Sequence, residues 1–228
     1  MTTTKVYRTA GLTAVWRHMA KVDDYAIQYV NFPLKIFGYI LGVLDPNSIK
    51  TIAQRTMLVD SFIRKLKPEN IVEIGAGFSS RSKRFKGVKC YELDLPYFKD
   101  RKSNLIPFEI GKDSLNLNIK NALFIVEGVT MYLQKEQTIN LLKQIKQYKG
   151  NILIDFFSKE NSTKEKNLRE RIYKLMFKLI IERNYLFDYR IKGIKEGINL
   201  LESLGYKNVM HCPYNVQKTL DALFYGEI

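Results

Sequence analysis

The sequence predicts an α/β fold: a mostly parallel central sheet with helices on both faces and a helical N-terminal segment. Three observations carry that expectation. Short apolar runs separated by turns begin near residue 71, and a helix-forming segment stands between two of them. Runs such as Ile152-Leu153-Ile154 are apolar without alternation, as strands covered on both faces are.

Taken in order, residues 7–30 mix apolar and polar side chains at helical spacing. Asp45-Pro46-Asn47-Ser48 is a turn followed by a new helix start. Residues 49–66 continue as an amphipathic helix with Ile52, Leu58, Val59, Phe62 and Leu66 on one broad face, and Lys67-Pro68-Glu69-Asn70 stops it. Strands are expected at 71–74, 88–93, 106–110, 122–126 and 151–156, with a helix over 135–148 before the last. That alternation calls for parallel strands joined by crossovers. Residues 158–171 are a charged, polar stretch. A basic amphipathic helix is expected at 172–181, with Lys174, Lys178 and Glu182 on one stripe, then a helix at 197–204 ended by Gly205 and a late strand at 206–211. With no repeat and no linker, residues 1–228 read as a single domain: a helical part at 1–66, a core at 67–157, and C-terminal helices and last strands at 158–228.

Composition narrows the class. Of 228 residues 46% are hydrophobic and 26% charged, which argues against a disordered chain. Cys90 and Cys212, with His18 and His211, are too few for a disulfide framework or a four-Cys zinc site, so no metal is expected. No apolar segment of signal-peptide type opens the chain, and the most apolar window, 30–44, falls short of the roughly 20 residues of a membrane span. A soluble protein of a reducing compartment, cytoplasmic and without a membrane span, is expected. The net charge of +14 permits nucleic-acid, anionic-lipid or acidic-substrate binding. The lysines are scattered, however. The densest basic cluster, Arg81-Ser82-Lys83-Arg84-Phe85-Lys86, is interrupted and reads as a solvated surface rather than a polyanion groove.

The informative segment is Val72-Glu73-Ile74-Gly75-Ala76-Gly77-Phe78-Ser79-Ser80. A strand ending in Gly-x-Gly lets the backbone turn sharply and approach a ligand closely. No Gly-Lys-Ser/Thr follows, so this is not a phosphate-binding P-loop, and Ser80 stands where a dinucleotide fingerprint has its third glycine. Glu73 would repel a pyrophosphate but welcome an amino group. Asp94, at the end of the second strand, can take both ribose hydroxyls with two acceptor oxygens. A ligand with a ribose, an amino group and no phosphates fits both, and S-adenosylmethionine is such a ligand.

Four pieces in order, Arg55-Thr56-x-x-x-Asp60, Val72 to Arg81, Tyr91-Glu92-Leu93-Asp94-Leu95-Pro96 and Glu127-Gly128-Val129-Thr130-Met131-Tyr132-Leu133, resemble the class I S-adenosylmethionine-dependent methyltransferases. More narrowly, they look like the leucine carboxyl methyltransferase branch with its polyketide O-methyltransferase relatives. The resemblance implies a Rossmann-like methyltransferase fold with an N-terminal helical lid, a cofactor-binding core and a C-terminal acceptor side. It implies that Arg55 pairs with the methionine carboxylate, that Gly75, Ala76 and Gly77 admit the methionine part, and that Asp94 and Leu95 border the ribose. Asp113-Ser114 stands where the family has an Asp-Leu at the adenine, and Glu127 resembles its acid near the cofactor amino group. The chain departs from the family at Ser79-Ser80-Arg81, where Asp-Thr-Arg is common.

Methyl transfer is an in-line displacement that a protein aids by positioning and electrostatics. A carboxylate acceptor is already ionised; a hydroxyl would profit from a base, for which His18, His211 and, near the acceptor, Tyr132 are the candidates. The acceptor is expected to be a small molecule or peptide, with an acidic one suited to the basic chain. Glu127-Gly128-Val129-Thr130 replaces the Asn/Asp-Pro-Pro-Tyr/Phe of amino-methylating DNA enzymes, so nucleic acid is not the expected partner. Two alternatives stand beside this: a non-catalytic methyltransferase-like binding protein, and an RNA methyltransferase.

Overall fold

The computed structural model describes residues 3–158, 189–214 and 221–228. The helix expected at 172–181 lies outside them. Three helices come first, α1 (Thr3–Met19), α2 (Phe32–Leu44) and α3 (Pro46–Leu66). The rest alternates: β1 (Asn70–Ile74), α4 (Arg81–Arg84), β2 (Lys89–Asp94), β3 (Ile106–Pro107), β4 (Ala122–Val126), α5 (Lys135–Ile145), β5 (Gly150–Phe157), α6 (Ile194–Ser203), β6 (Lys207–Cys212) and β7 (Asp221–Glu227).

The helix boundaries follow local chemistry. Asn31 caps α2 by accepting the Leu34 N–H at 3.1 Å, and Asp45 caps α3 through Ser48. Pro46 opens α3, where its missing N–H costs nothing. Lys67, left-handed at φ 46°, ends that helix just before Pro68.

The strands form one seven-stranded sheet in the order β3-β2-β1-β4-β5-β7-β6. β1 to β5 pair in parallel, and β7 runs antiparallel between β5 and β6. One face packs Val72, Phe124, Ile152, Ile154 and Phe224 beneath α5 and α6, through Leu141, Leu142, Ile145 and Leu201. The other packs Ile71, Leu123, Ile125, Leu153 and Leu223 beneath Val59 and Ile63 of α3. Each such buried side chain contributes about 1.5–3 kcal/mol relative to exposure. A third cluster joins Leu12, Val15 and Trp16 of α1 to Phe78 and Phe98, so the first helices lie over the loops that follow β1 and β2.

The sheet and its helices match the expected α/β class. Three local expectations change. The helix over 7–30 stops at Met19, because Lys21 is left-handed at φ 57° and the buried Asp23 carboxylate organises a turn by accepting the Ala26 N–H. The strand over 106–110 shortens to two residues, since Pro107 has no N–H for a ladder and the chain turns at Gly111. β7 was not foreseen; its register on β5 pairs Asp221 with Phe157 and Leu223 with Asp155.

That register positions the site. Side chains alternate along a strand, so Glu73 follows Ile71, and Asp155 follows Leu153, onto the face under α3. Asp221, opposite Phe157, falls on the same face as Asp155. Acids at the carboxyl ends of β1, β5 and at the start of β7 thus converge beneath Arg55 and Asp60 of α3.

Candidate functional site

The glycine turn and the end of β2 are built as one unit. Gly75 and Gly77 have φ of 74° and 49°, where an L side chain is strained. The Gly75 N–H donates to the Leu93 carbonyl at 2.8 Å. The Gly77 N–H donates to Asp94 Oδ2 at 2.6 Å, and the Leu95 N–H to Asp94 Oδ1 at 2.7 Å. Each carboxylate oxygen retains a lone pair for a further donor. Burial pushes the Asp94 carboxyl up to about 6, with the two backbone N–H groups opposing it. Tyr97 lies close enough to feel the Asp94 charge, and its buried hydroxyl has no hydrogen-bond partner among the described residues. Leu95, half-buried, packs against the N-terminal cluster.

On the other side of the turn lies a network of buried ion pairs. The Glu127 carboxylate, just after β4, receives Arg17 Nη2 at 2.6 Å, Arg55 Nε at 2.9 Å and Arg81 Nη2 at 2.6 Å. Burial opposes its charge, but the three guanidiniums of Arg17, Arg81 and Arg55 outweigh burial and hold the carboxyl well below the usual range. Arg81 also donates to Glu73 at 2.5 Å and to Asp60 at 3.2 Å, while Ser79 Oγ donates to Glu73 at 2.9 Å. Arg55 donates through Nη1 to Asp155 at 2.9 Å and to Asp221 at 2.5 Å. Burial pushes Asp155 up to about 7, Arg55 working against the rise and the Asp221 charge adding to it. The Gly128 N–H completes this corner, 2.9 Å from Asp155 Oδ1.

A narrow cleft remains, lined by Arg17, Glu73, Gly75, Ala76, Arg81 and Glu127 among others, with a cavity volume of about 10 Å³, the room of about one water. A pocket for a whole small ligand is far larger. The turn is also covered from above: a Cβ on Gly75 would lie 2.2 Å from Val129 Cγ2, and one on Gly77 3.2 Å from Ala10 of α1.

Of the residues singled out in the sequence, Arg55, Glu73, Gly75, Ala76, Gly77, Asp94 and Glu127 come together at the carboxyl ends of β1, β2 and β4. Asp113 and Ser114 are exposed, and Asp113 Oδ2 accepts the Glu109 N–H at 2.7 Å. Tyr132 closes a short helical turn after β4, under α1, bonded to Thr9; burial raises its hydroxyl well above the ordinary value. His18 sits at the end of α1, 3.1 Å from the exposed Asp24. His211 lies on edge strand β6 against Phe224, with β5 and β7 between it and β4.

Sequence reasoning passed over Arg81, Asp155 and Asp221. Arg81 belongs to the cluster read as solvated, yet it is 1% exposed. Asp155 carried a signal of the same kind as Glu127, a lone acid within an apolar strand. Asp221 had none, because its strand was not assigned.

No family model matches the sequence, and no curated protein matches it. Solved structures do. A possible exported protein from Bordetella parapertussis is 12% identical, with 96% of each chain covered and a TM-score of 0.59. PigF, solved with S-adenosylhomocysteine, is 15% identical over all of this chain and 71% of its own, with a TM-score of 0.54. The S-adenosylmethionine-dependent methyltransferase SibL, in its apo form, is 14% identical over 79% of this chain, with a TM-score of 0.51. The chain spans 58% of the length of SibL. The fold of the chain is the Rossmann-like one it shares with these structures.

Proposed function

We propose that the chain binds S-adenosylmethionine and methylates an oxygen, on a carboxylate or hydroxyl of a small molecule or peptide. The carrying observation is the seat at Asp94: two backbone N–H groups fix its carboxylate beside a glycine turn, and an unpartnered Tyr97 hydroxyl stands close by. A ribose edge, with donors and acceptors side by side, matches that pairing. The sheet shared with SibL and PigF, one described as dependent on S-adenosylmethionine and the other solved with its demethylated product, supports the same cofactor. Within this class, the four motifs favour the leucine carboxyl methyltransferase branch and a single domain over residues 1–228.

The residues fit the nucleoside half of that cofactor directly and the amino-acid half by exchange. Glu73 and Glu127 would take an ammonium, and Arg55 a carboxylate. Each now holds a protein partner of the same charge sign, so a zwitterionic head group can replace these pairings without leaving a net buried charge. When bound, the cofactor supplies an electrophilic methyl group on a sulfonium. The cleft has to widen to admit it, and α1, which covers Gly77, is the element in the way. We read α1 to α3 as the lid and the C-terminal part as the acceptor side.

The candidate bases favour a carboxylate acceptor. The Tyr132 hydroxyl stays protonated, and His211 stands at the far edge of the sheet. His18, the residue after Arg17 on α1, does not line the cleft and pairs with the exposed Asp24. A carboxylate acceptor needs no base, and a guanidinium such as Arg17 could hold it. Burial of Arg81 and engagement of Arg84 by Asp60 remove two cations from the basic cluster, which weakens the RNA reading.

A second reading is a non-catalytic binding protein. The small cleft and the mutual pairing of Arg17, Arg55 and Arg81 with acids favour it. The test is release of S-adenosylhomocysteine from S-adenosylmethionine with a panel of aliphatic and aromatic carboxylic acids, phenols and short peptides. Acceptor-dependent release supports methylation. Cofactor binding with no release across the panel supports the second reading.

A further inference from the structure

The amino ends of the strands, opposite the glycine turn, form a second charged pole. β6 runs in the direction of β1 to β5, because β5 and β6 are both antiparallel to β7. Five of these six strands have a lysine at their entry: Lys67 before β1, Lys89 opening β2, Lys120 before β4, Lys149 before β5 and Lys207 opening β6. All five are exposed, and among the described residues none forms an ion pair.

The register lines them up. Asn70 pairs with Lys89 on one side and Ala122 on the other, Ala122 pairs with Gly150, and Glu227 pairs with Lys207. The Asn70 side chain donates to the Lys120 carbonyl at 2.9 Å, and the Ala122 N–H to the Lys149 carbonyl at 3.0 Å. From β2 to β6 the row crosses five strand spacings, about 24 Å at about 4.8 Å each. Exposed Arg64 and Lys65, in the last turn of α3, flank it and also complement that helix's dipole; Lys89, Lys120 and Lys207 serve no helix end. The acids here are sparse. Glu69 and Glu202 are exposed, and Glu227 accepts from Asn208 and Tyr225. At the carboxyl ends exposed cations instead meet acids: Lys112 lies 2.8 Å from Glu109, and Lys99 adjoins exposed Asp100.

We propose that this row docks the backbone of a nucleic-acid duplex. Charge complementarity selects a long polyanion: a duplex carries one phosphate per about 1.7 Å of axis, so about 24 Å presents roughly 14 of them to the lysines. Single strands are held by exposed aromatic faces, and none of the exposed large apolar or aromatic side chains stands at a strand entry. The same lack leaves nothing to insert into a lipid surface. Lysines act as point charges that position a backbone without reading bases, so the docking is independent of sequence. The row lies at the far end of the sheet from Asp94 and Glu127. The duplex is therefore a docking partner and not the methyl acceptor, and the inference stands apart from the reading of the acceptor.

The test is fluorescence anisotropy of a labelled duplex of about 20 base pairs with the full chain, at salt from about 50 to 200 mM. Five phosphate contacts give an expected slope of log K against log salt of about −4.5, a fall of about 10²–10³ over that range. In Lys120→Gln/Lys149→Gln the slope should shrink by about 2, with binding at about 50 mM at least about tenfold weaker. Lys135→Gln/Lys192→Gln removes the same charge from exposed positions toward the carboxyl ends and should leave both unchanged. Thermal unfolding of both variants is expected to match wild type; if that of the first does not, Lys89→Gln/Lys207→Gln at the ends of the row replaces it, with the same expected loss. No binding, a flat salt response, an undiminished folded variant or an equal loss in the control overturns the proposal. So does tighter binding of the single strand, or of phosphatidylglycerol vesicles, than of the duplex at the same salt.

Discussion

Arg17 and Glu127 meet at 2.6 Å across 110 residues of chain, and the contact ties the first helix to the end of β4. Because Arg55 and Arg81 bond the same carboxylate, Glu127 is the point where α1, α3, α4 and the sheet are held together electrostatically. Buried pairs of this kind add little net stability over an apolar core, yet are costly to break from one side.

Glu127→Gln should therefore destabilise more than a typical substitution. It leaves three buried guanidiniums facing a neutral amide, and the expected loss is about 3–5 kcal/mol. Urea unfolding of the two proteins at neutral pH checks it. A loss below about 1 kcal/mol would show that the guanidiniums find other partners or water.

Asp155 predicts a pH dependence. Its folded-state value, about 7, is raised above the ordinary 3.8, so its contribution to stability is present below the unfolded value and is lost as pH rises through about 7. Glu127 is shifted the other way and acts only at the acid end, where its contribution is lost as pH falls. Between about pH 4 and 7 the wild type should lose stability with rising pH, at no more than about 1.4 kcal/mol per pH unit from Asp155, with Asp94, raised to about 6, adding a loss of the same sign up to about pH 6. Asp155→Asn, which can still accept from Gly128 and Arg55, should reduce that slope, most clearly between about pH 6 and 7, in urea unfolding measured at several pH values.

The glycine turn predicts a double-variant result. Gly75→Ala meets both a positive φ and Val129 Cγ2, and should cost about 2–4 kcal/mol. Adding Val129→Ala removes the clash but not the backbone strain, so part of the loss should return. Gly87→Ala, with nothing within 4 Å, is the control and should stay within about 0.5 kcal/mol of wild type. Thermal unfolding of the four proteins reads all of this.

The parts of the fold that were legible in the sequence are those set by local chemistry. β4 spans the expected residues, and Asp94 closes β2 beside the glycine turn as anticipated. Apolar runs and a Gly-x-Gly turn act over a few residues, so their signal sits in the sequence itself. Arg81 was missed because its burial depends on Glu73, eight residues back, and Glu127, 46 residues ahead, both at strand ends brought together by the sheet. Asp221 was missed for a related reason: its place beside Asp155 arises from the antiparallel register of β7 on β5, which nothing local in the sequence announces.

The most direct test of the proposed function is calorimetric titration of S-adenosylmethionine and S-adenosylhomocysteine into wild type and Asp94→Ala. In the proposed mode Asp94 seats the nucleoside side without entering the ion network, so the variant should fold. The account predicts binding by wild type and a loss of at least about tenfold in the variant, since a carboxylate–donor pair contributes roughly 1.5–3 kcal/mol. No binding by folded wild type, or equal binding by both proteins, would contradict it.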